Sequence, residues 1–335
     1  MLPPTPQPTS NPDLPDDLLL SCFVRVSRLY YPILSLVSKS FRSLLSSPEL
    51  YQTRSQLDRT ESCLYVCLSL PPGPNPHWFT LCRRPNQTLK RKKKNKLSSM
   101  LLVPVTSPSS APVRSSFVAV GSDIYEIGGL INGVPSYTVS IFDCKSHSWH
   151  KAPNMQEARD HPFAKIMDGK IYVKGRPNYF SSAKPVEFFD PKAQTWTHET
   201  KESKSPDDFH GMASQISSYC LIDNVLYRYN YLKGEFQWHD SKARDWRHLK
   251  LLEGMPKFFI GSSQVQLADF GGNMAVLWER HDGSSDCNKE ITIWCAEISL
   301  ERCASKKISG TVEWSDAVLK VPTCFGFVDI VSATV

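Results

Sequence analysis

Residues 123–129 read DIYEIGG, and residues 140–155 read SIFDCKSHSWHKAPNM. The same order of residues returns twice, as KIYVKGR followed by EFFDPKAQTWTHE and as VLYRYN followed by QWHDSKARDWRHL. In all three units an Asp precedes a Trp by six residues, and the Asp residues of the first two units, Asp143 and Asp190, are 47 residues apart. Short apolar or aromatic runs at this spacing, separated by turn residues, are typical of four-stranded propeller blades.

The repeated residues have a structural interpretation. A single four-stranded sheet cannot cover its own faces, so the blades must stack in a ring. Because Trp149, Trp196 and Trp246 recur at blade spacing, we expect them to be structural residues of the blades rather than an aromatic binding cage. Gly128 and Gly129 follow a strand at a place where the backbone can approach another segment closely.

Two weaker units flank the three clear ones. Residues 63–105 contain LYVCLSL, HWFTL and MLLVPV, and residues 258–319 contain NMAVLW, EITIWCAEISL and VEWSDAVL. Residues 323–331, TCFGFVDIV, are predicted to be a strand that pairs into the first blade and removes the open edge of the ring. The predicted fold is therefore mainly β, a propeller of five blades, or six if another set of strands lies within residues 250–320.

The N-terminal part of the chain has a helical pattern. Residues 14–50 read LPDDLLLSCFVRVSRLYYPILSLVSKSFRSLLSSPEL. This pattern predicts one helix from about Asp16 to Val26 and a second apolar helical segment that Pro32 opens and Pro48 stops. A unit of roughly 40 residues rarely builds a self-sufficient core, so we expect another polypeptide to cover part of its surface. The alternative is a helical cap that packs on the following domain.

Two families share these patterns. LPDDLLL followed by VSKSFRSLLSSPEL resembles an F-box, the helical module by which substrate receptors dock on the Skp adaptor of cullin-RING ubiquitin ligases, although Phe41 stands where many members carry Trp. The di-glycine with Asp and Trp downstream resembles kelch repeats, although Lys174-Gly175 and Tyr229-Asn230 replace the di-glycine in the next two units. An F-box followed by a kelch propeller is similar to the plant family of F-box/kelch-repeat proteins.

The resemblance implies a domain plan and a set of partners. It implies an F-box at 12–58 and a kelch propeller at 61–335, after a Pro-rich and Ser-rich tail at 1–11 that we expect to be disordered. It implies a Skp-type adaptor, a cullin reached through that adaptor, and an unknown substrate protein as partners of a non-catalytic receptor subunit. The implied adaptor-binding residues are Leu14, Pro15, Leu18, Leu19, Ile33, Leu34, Val37 and Phe41. The alternative is a propeller scaffold that binds partners without ubiquitin transfer.

Composition narrows the function classes. The net charge of this 335-residue chain is +6, and residues 83–96 alone carry eight Lys and Arg with no acid. The rest of the chain therefore has a net charge of −2, so we expect no domain-wide surface for binding nucleic acid. Residues 90–96 suit either nuclear import or a solvated loop.

No apolar run approaches the ~20 residues of a membrane helix. Without a signal peptide or a Cys-x-x-Cys pair, the ten cysteines indicate reduced thiols in the cytoplasm or nucleus.

Sequence motifs for catalysis are absent. The chain contains no H-E-x-x-H, no H-x-H, no G-x-S-x-G and no glycine-rich phosphate loop. His147 and His150, three residues apart on a predicted strand, would point to opposite faces and would not share a metal. We therefore expect no metal, no cofactor and no enzyme activity in this chain.

Overall fold

The computed structural model describes residues 14–73, 75–84, 99–108, 112–175, 186–198, 217–251, 264–280, 290–302 and 307–335. The chain divides into two compact units, Met1–Thr60 and Glu61–Val335. The predicted tail at 1–11 and the basic residues 90–96 lie outside the described residues. Among the helices that the structure describes, none has the length and apolar content of a membrane-spanning segment.

Residues 14–60, the part of the N-terminal unit that the structure describes, contain four short α-helices and a 3₁₀ turn. These elements are α1 (Asp16–Phe23), the 3₁₀ turn Arg28–Tyr30, α2 (Tyr31–Leu34), α3 (Lys39–Leu45) and α4 (Pro48–Gln56). The first predicted helix thus ends three residues early, and the second is divided into α2 and α3. Ser38 and Ser47 cap α3 and α4, since each side chain accepts a hydrogen bond from a backbone N–H of the first turn. Pro48 starts α4, where a missing N–H costs nothing.

The helices enclose a small core of their own. Its buried members are Leu19, Phe23, Val24, Tyr31, Leu45 and Leu50. Arg54 of α4 crosses this core with 1% of its surface exposed. Its Nη1 donates to the carbonyl oxygen of Val26 at 2.9 Å and to the hydroxyl of Tyr31 at 3.1 Å, which ties the last helix to the first loop. The core is therefore closed by residues within the unit.

The second unit is built from β-strands that are mostly short and, apart from β18, pair antiparallel. In chain order they are β1 (Ser62–Ser69), β2 (Pro76–Arg83), β3 (Met100–Pro104), β4 (Ser116–Val120), β5 (Asp123–Ile127), β6 (Leu130–Ile131), β7 (Val134–Pro135), β8 (Val139–Asp143), β9 (Ser148–Lys151), β10 (Phe163–Met167), β11 (Lys170–Lys174), β12 (Glu187–Asp190), β13 (Thr195–His198), β14 (Ser217–Ile222), β15 (Val225–Asn230), β16 (Glu235–Asp240), β17 (Asp245–His248), β18 (Lys250–Leu251), β19 (Val265–Phe270), β20 (Asn273–Arg280), β21 (Glu290–Arg302), β22 (Ile308–Pro322) and β23 (Gly326–Thr334).

These strands form five blades. Blade 1 has the strand order β23-β1-β2-β3, blade 2 β4-β5-β8-β9, blade 3 β10-β11-β12-β13, blade 4 β14-β15-β16-β17 and blade 5 β19-β20-β21-β22, with β18 added parallel to β22. The inner strands β14, β19, β23, β4 and β10 contact one another in that order. Closing the ring therefore places blade 3 beside blade 4. The predicted five-bladed propeller is confirmed.

The last strand completes the first blade. β23 pairs antiparallel with β1, from Ser62 opposite Thr334 to Ser69 opposite Gly326. Just beyond this ladder, Glu61 and Val335 exchange both backbone hydrogen bonds at 2.8 Å. This is the closure that the apolar C-terminal segment predicts, and it leaves β1 paired on both sides.

Apolar side chains fill the spaces between blades. Blades 2 and 3 share a core that includes Tyr125, Ile127, Ile171, Val173 and Phe189. Blades 4 and 5 share another, in which Tyr227, Tyr229, Phe236 and Trp238 pack against strands of blade 5. Between blades 1 and 2 the rings of Trp78 and Phe117 meet edge to face at 5.0 Å.

Candidate functional site

The N-terminal unit exposes large apolar side chains that its core does not use. The exposed fraction is 60% for Leu14, 55% for Leu18, 75% for Leu36 and 63% for Val37. We call these four the exposed apolar residues. Leu14 and Leu18 lie at the start of α1, and Leu36 and Val37 lie between α2 and α3. Large apolar groups left in water mark interaction sites where they form a contiguous patch on a folded module.

The predicted adaptor-binding residues divide into three groups. Leu14, Pro15, Leu18 and Val37 are exposed, Ile33, Leu34 and Phe41 are half-buried, and Leu19 is buried in the module's core. Phe41 packs edge to face on Phe23 at 4.9 Å, so its ring also supports the core. Leu36 was not among the predicted residues, although it belongs to the same apolar pair as Val37, just before the Ser38 cap.

The di-glycine turn supports a contact between blade 2 and its neighbouring loops. Gly128 and Gly129 have φ angles of 59° and 94°, which L side chains rarely adopt. A Cβ on Gly129 would lie 2.7 Å from the carbonyl oxygen of Val113. The Gly129 N–H donates to the carbonyl of Arg159 at 2.9 Å. Both positions therefore favour glycine because of their positive φ angles, and Gly129 also because the backbone of Val113 lies too close for a side chain.

A hairpin projects from this turn. β6 and β7 pair through Asn132 and Gly133, whose φ angles of 51° and 79° suit a tight two-residue turn. The hairpin exposes 64% of Val134. Tyr137, which follows the hairpin, is 51% exposed. A short, hydrogen-bonded hairpin with apolar residues in water is a suitable contact element for another protein.

The repeated tryptophans lie on the outermost strands of blades 2, 3 and 4 and are half-buried. The indole N–H of Trp149 donates to the carbonyl of Thr106 at 2.9 Å. The indole N–H of Trp196 donates to the carbonyl of Pro153 at 2.8 Å. Both acceptors lie in the connection that leaves the preceding blade, so these two residues tie neighbouring blades together. The ring of Trp246 instead lies 3.9 Å from the guanidinium carbon of Arg228.

A buried ion pair was not predicted from the sequence. Arg159 Nη2 lies 2.8 Å from Glu187 Oε1, and both side chains are completely buried. The carboxylate of Glu187 also accepts hydrogen bonds from the backbone N–H groups of Gln156 and Glu157. The partners are 28 residues apart in the sequence and belong to no local motif, so the strand pattern carries no signal for them.

Other titratable groups are buried near the ring closure. Burial raises the pKa of Glu126 to about 7, against a hydrogen bond from Ser115 that lowers it. Burial likewise raises the pKa of Asp329 to about 7. Burial and the nearby carboxylates of Asp329 and Glu126 raise the pKa of the Cys67 thiol. A buried thiol with a raised pKa is a poor nucleophile.

The histidines singled out in the sequence have separate partners. His147 Nε2 lies 3.1 Å from the hydroxyl of Tyr65, and His150 Nε2 lies 2.8 Å from the hydroxyl of Ser148. Within the described ranges, no three His, Cys, Asp or Glu side chains are grouped closely enough to hold a metal ion.

Comparisons with known proteins agree with both parts of this architecture. The family model of the F-box domain matches residues 12–53, and that of the FKB95 Kelch-repeats domain matches residues 78–212 and 197–319. F-box/kelch-repeat protein At5g49000 of Arabidopsis thaliana is 47% identical over 99% of this chain and 96% of its own length. F-box/kelch-repeat protein At4g39550 of the same plant is 45% identical over 99% of this chain and 96% of its own length.

These matches cover the helical module and all five blades. An architecture of this kind is typical of substrate-adaptor proteins rather than enzymes. The chain belongs to the F-box/kelch-repeat protein family.

Proposed function

We propose that this protein is the substrate-recognition subunit of a Skp–cullin–F-box ubiquitin ligase. Its F-box docks on a Skp-type adaptor, which links it to a cullin, and its propeller binds a target protein. The observation that carries the proposal is the set of exposed apolar residues on a module whose core is already closed without them. Covering a large apolar side chain stabilises a complex by roughly 1.5–3 kcal/mol.

The exposed apolar residues are held in defined positions by the helices of the module. Leu14 and Leu18 are one helical turn apart, with Leu14 just before α1 and Leu18 within it. Val37 immediately precedes Ser38, the cap of α3, so a capped helix fixes its position. Preorganised apolar residues lose little conformational entropy when a partner covers them.

The propeller supplies the target-binding surface. Connections between strands carry recognition because they can vary on a rigid scaffold. The hairpin of β6 and β7, with Val134 and Tyr137 exposed, is one such element. The receptor acts by proximity, since holding a target near a conjugating enzyme raises its effective concentration. The bond-forming chemistry belongs to other subunits, and the receptor itself is not catalytic.

We place this role in the cytoplasm or nucleus. The cysteines that the structure describes, which include Cys67, Cys144 and Cys295 in the blade cores, are free thiols. Free buried thiols suit a reducing compartment. Fractionation of cells that express the tagged chain tests this placement, and recovery from a secreted fraction would contradict it.

Copurification with a co-expressed Skp-type adaptor tests the proposal. Leu18→Asp and Val37→Asp each place an unpaired charge in the docking surface, and we expect both variants to lose the adaptor. Leu57→Asp is the matched control, because Leu57 is 54% exposed and Leu18 55% on the same module, but Leu57 follows α4 and is not among the predicted adaptor-binding residues. It should keep the adaptor. Leu34 is less suitable, because it packs against the module's own core.

Melting curves of the free variants complete this test. Unchanged unfolding of Leu18→Asp and Val37→Asp, together with loss of the adaptor, supports docking through these residues. If both variants copurify with the adaptor as well as the wild type does, the proposed docking surface is wrong.

A further inference from the structure

An acidic side chain interrupts the apolar repeat in blade 2. The second strand of four blades carries a Leu-Tyr or Ile-Tyr pair, and the residue after this pair is Val66 in blade 1, Glu126 in blade 2, Val173 in blade 3 and Arg228 in blade 4. Glu126 is nevertheless only 2% exposed. A carboxylate is costly to bury without a cation, so this position disfavours the charged form of Glu126.

Glu126 faces blade 1. Its neighbours in β5, Tyr125 and Ile127, belong to the core shared with blade 3, so the side chain of Glu126 lies on the opposite face of the sheet. Phe117, its cross-strand neighbour on β4, meets the Trp78 ring of blade 1 at 5.0 Å. The carboxyl group of Glu126 is thus enclosed between blades 1 and 2.

A second carboxyl group enters this interface from the closing strand. Asp329 of β23 is the cross-strand neighbour of Cys67 on β1. Cys67 lies on the same face of β1 as Tyr65, whose hydroxyl donates to the carbonyl of Cys144 in blade 2 at 3.2 Å. Burial, and after it the carboxylates of Asp329 and Glu126, raise the pKa of the Cys67 thiol. Cys67 therefore lies within electrostatic range of both carboxyl groups.

The two carboxyl groups have hydrogen-bond donors but no cation beside them. Ser115 Oγ donates to Glu126 Oε1 at 3.1 Å, and the N–H of Ile330 donates to Asp329 Oδ1 at 2.7 Å. Arg114, next to Ser115 in the chain, is exposed to solvent. Within the described part of the chain, no Lys, Arg or His side chain forms an ion pair with either carboxyl group.

The strands around these groups supply no compensating charge. β1 and β4 contain no charged residue. β19, which also packs against β23, carries Asp269, whose carboxylate accepts a hydrogen bond from the N–H of Gly272 in the following turn. Among the described residues, the titratable side chain that faces both carboxyl groups is the Cys67 thiol.

Ionisation of these groups would place two negative charges in the interface. Burial raises the pKa of Glu126 and of Asp329 to about 7, so both keep protons that a solvated carboxyl group releases at about pH 4. The ladder between β1 and β23 shifts register between Cys67 and Leu68, where Val328 is the extra residue on β23. Such a bulge disrupts the ladder beside Asp329, which makes this part of the closing strand easier to displace.

We propose that protonation of Glu126 and Asp329 controls a local opening of the interface between blades 1 and 2. While both groups hold their protons, β23 stays packed against blade 2. When they ionise, the two charges repel each other and draw water into the interface, so it opens and exposes Cys67 while the other blades stay folded. The closed state binds more protons between about pH 4 and 7, so opening increases as the pH rises through this range and levels off above it.

The labelling rate of Cys67 in the purified full chain tests the proposal. The probe is N-ethylmaleimide, located by peptide mass spectrometry, and each rate is divided by that of a model thiol at the same pH. We expect the corrected rate to rise on the order of tenfold for each carboxyl group between pH 5.5 and pH 7.5. Cys295, fully buried in blade 5, reports global unfolding and should react more slowly. Low urea should accelerate Cys295 but leave Cys67 unchanged, because a local opening exposes little surface.

Variants identify the groups responsible. Glu126→Gln and Asp329→Asn cannot ionise, so each should remove about half of the logarithmic pH dependence, and the double variant nearly all of it. Glu313→Gln, which changes an exposed carboxyl group on β22, is the control and should behave like the wild type. Wild-type pH dependence in the double variant overturns the proposal. So does a Cys67 rate that equals that of Cys295 with the same response to urea. If Asp329→Asn does not fold, Glu126→Gln alone decides the question.

Discussion

The guanidinium of Arg159 and the carboxylate of Glu187 join blades 2 and 3 through a contact of 2.8 Å that is fully shielded from water. The backbone of Arg159 takes part as well, because its N–H donates to Ser136 and its carbonyl accepts from Gly129. One residue thus connects the di-glycine turn of blade 2 with a central strand of blade 3.

Arg159→Ala should destabilise the propeller by about 3–5 kcal/mol, because it leaves the Glu187 carboxylate buried without its cation. Urea unfolding of the purified chain measures this loss. The control is Arg247→Ala, which breaks an ion pair of the same 2.8 Å length whose arginine is 51% exposed. It should cost about 1 kcal/mol or less. Equal effects of the two substitutions would show that burial does not set the strength of the Arg159 contact.

Trp196→Phe should destabilise the propeller by about 1 kcal/mol, because the ring is kept but the hydrogen bond to Pro153 is lost. Trp149→Phe should behave alike through its bond to Thr106. Trp196→Ala should cost more, since the ring packs on Phe189 at 5.0 Å. The three melting temperatures provide the test. If Trp196→Phe and Trp196→Ala melt together, packing contributes nothing at this half-buried position.

Removal of residues 326–335 should leave the chain insoluble or much less stable, because β1 would keep only β2 as a partner and its other edge would be open. A synthetic peptide of residues 323–335, added during refolding, should restore soluble monomer by pairing with β1. A scrambled peptide of the same composition is the control. A truncated chain that stays soluble and melts like the wild type would contradict the closing role of β23.

The propeller should lose stability as the pH rises from about 4.5 to 7. Burial raises the pKa of Glu126 from 4.5 to about 7, so the folded chain keeps a proton that the unfolded chain has already released in this window. The loss amounts to about 3 kcal/mol for this carboxyl and is complete above pH 7. Glu126→Gln should remove this part of the dependence, and the part due to Asp329 should remain.

Denaturant unfolding at pH 5 and pH 8 measures the difference. Glu290→Gln is the control, because Glu290 is 67% exposed beside Lys320. The wild type and the control should show the same pH dependence. If Glu126→Gln loses as much stability between pH 5 and pH 8 as the wild type does, Glu126 is not responsible for its expected part of the pH dependence.

Much of the fold was predictable because local patterns determine it. The Asp and Trp spacing predicted the blades, and the apolar content of residues 323–331 predicted a strand, which pairs as β23. The helical module was predicted with errors in its boundaries, because Ser38 and Ser47 cap separate short helices where the apolar pattern runs on.

The candidate sites depend on contacts that a linear pattern does not contain. The indole N–H groups of Trp149 and Trp196 each reach a carbonyl 43 residues earlier. Leu18 and Leu19 are neighbours of the same residue type, yet one is 55% exposed and the other 8%. Only the packing of the helices distinguishes an exposed residue from a core residue here.

The pairing of Glu61 with Val335 has a consequence for biosynthesis. The first strand to leave the ribosome, β1, receives its inner neighbour only when the last residues of the chain have been made. Blades 2 to 5 are all translated before β23, so the ring is completed only after the rest of the propeller has been made. Until β23 is made, β1 has an unpaired apolar edge, so a nascent chain of this protein depends on protection from aggregation while blades 2 to 5 are synthesised.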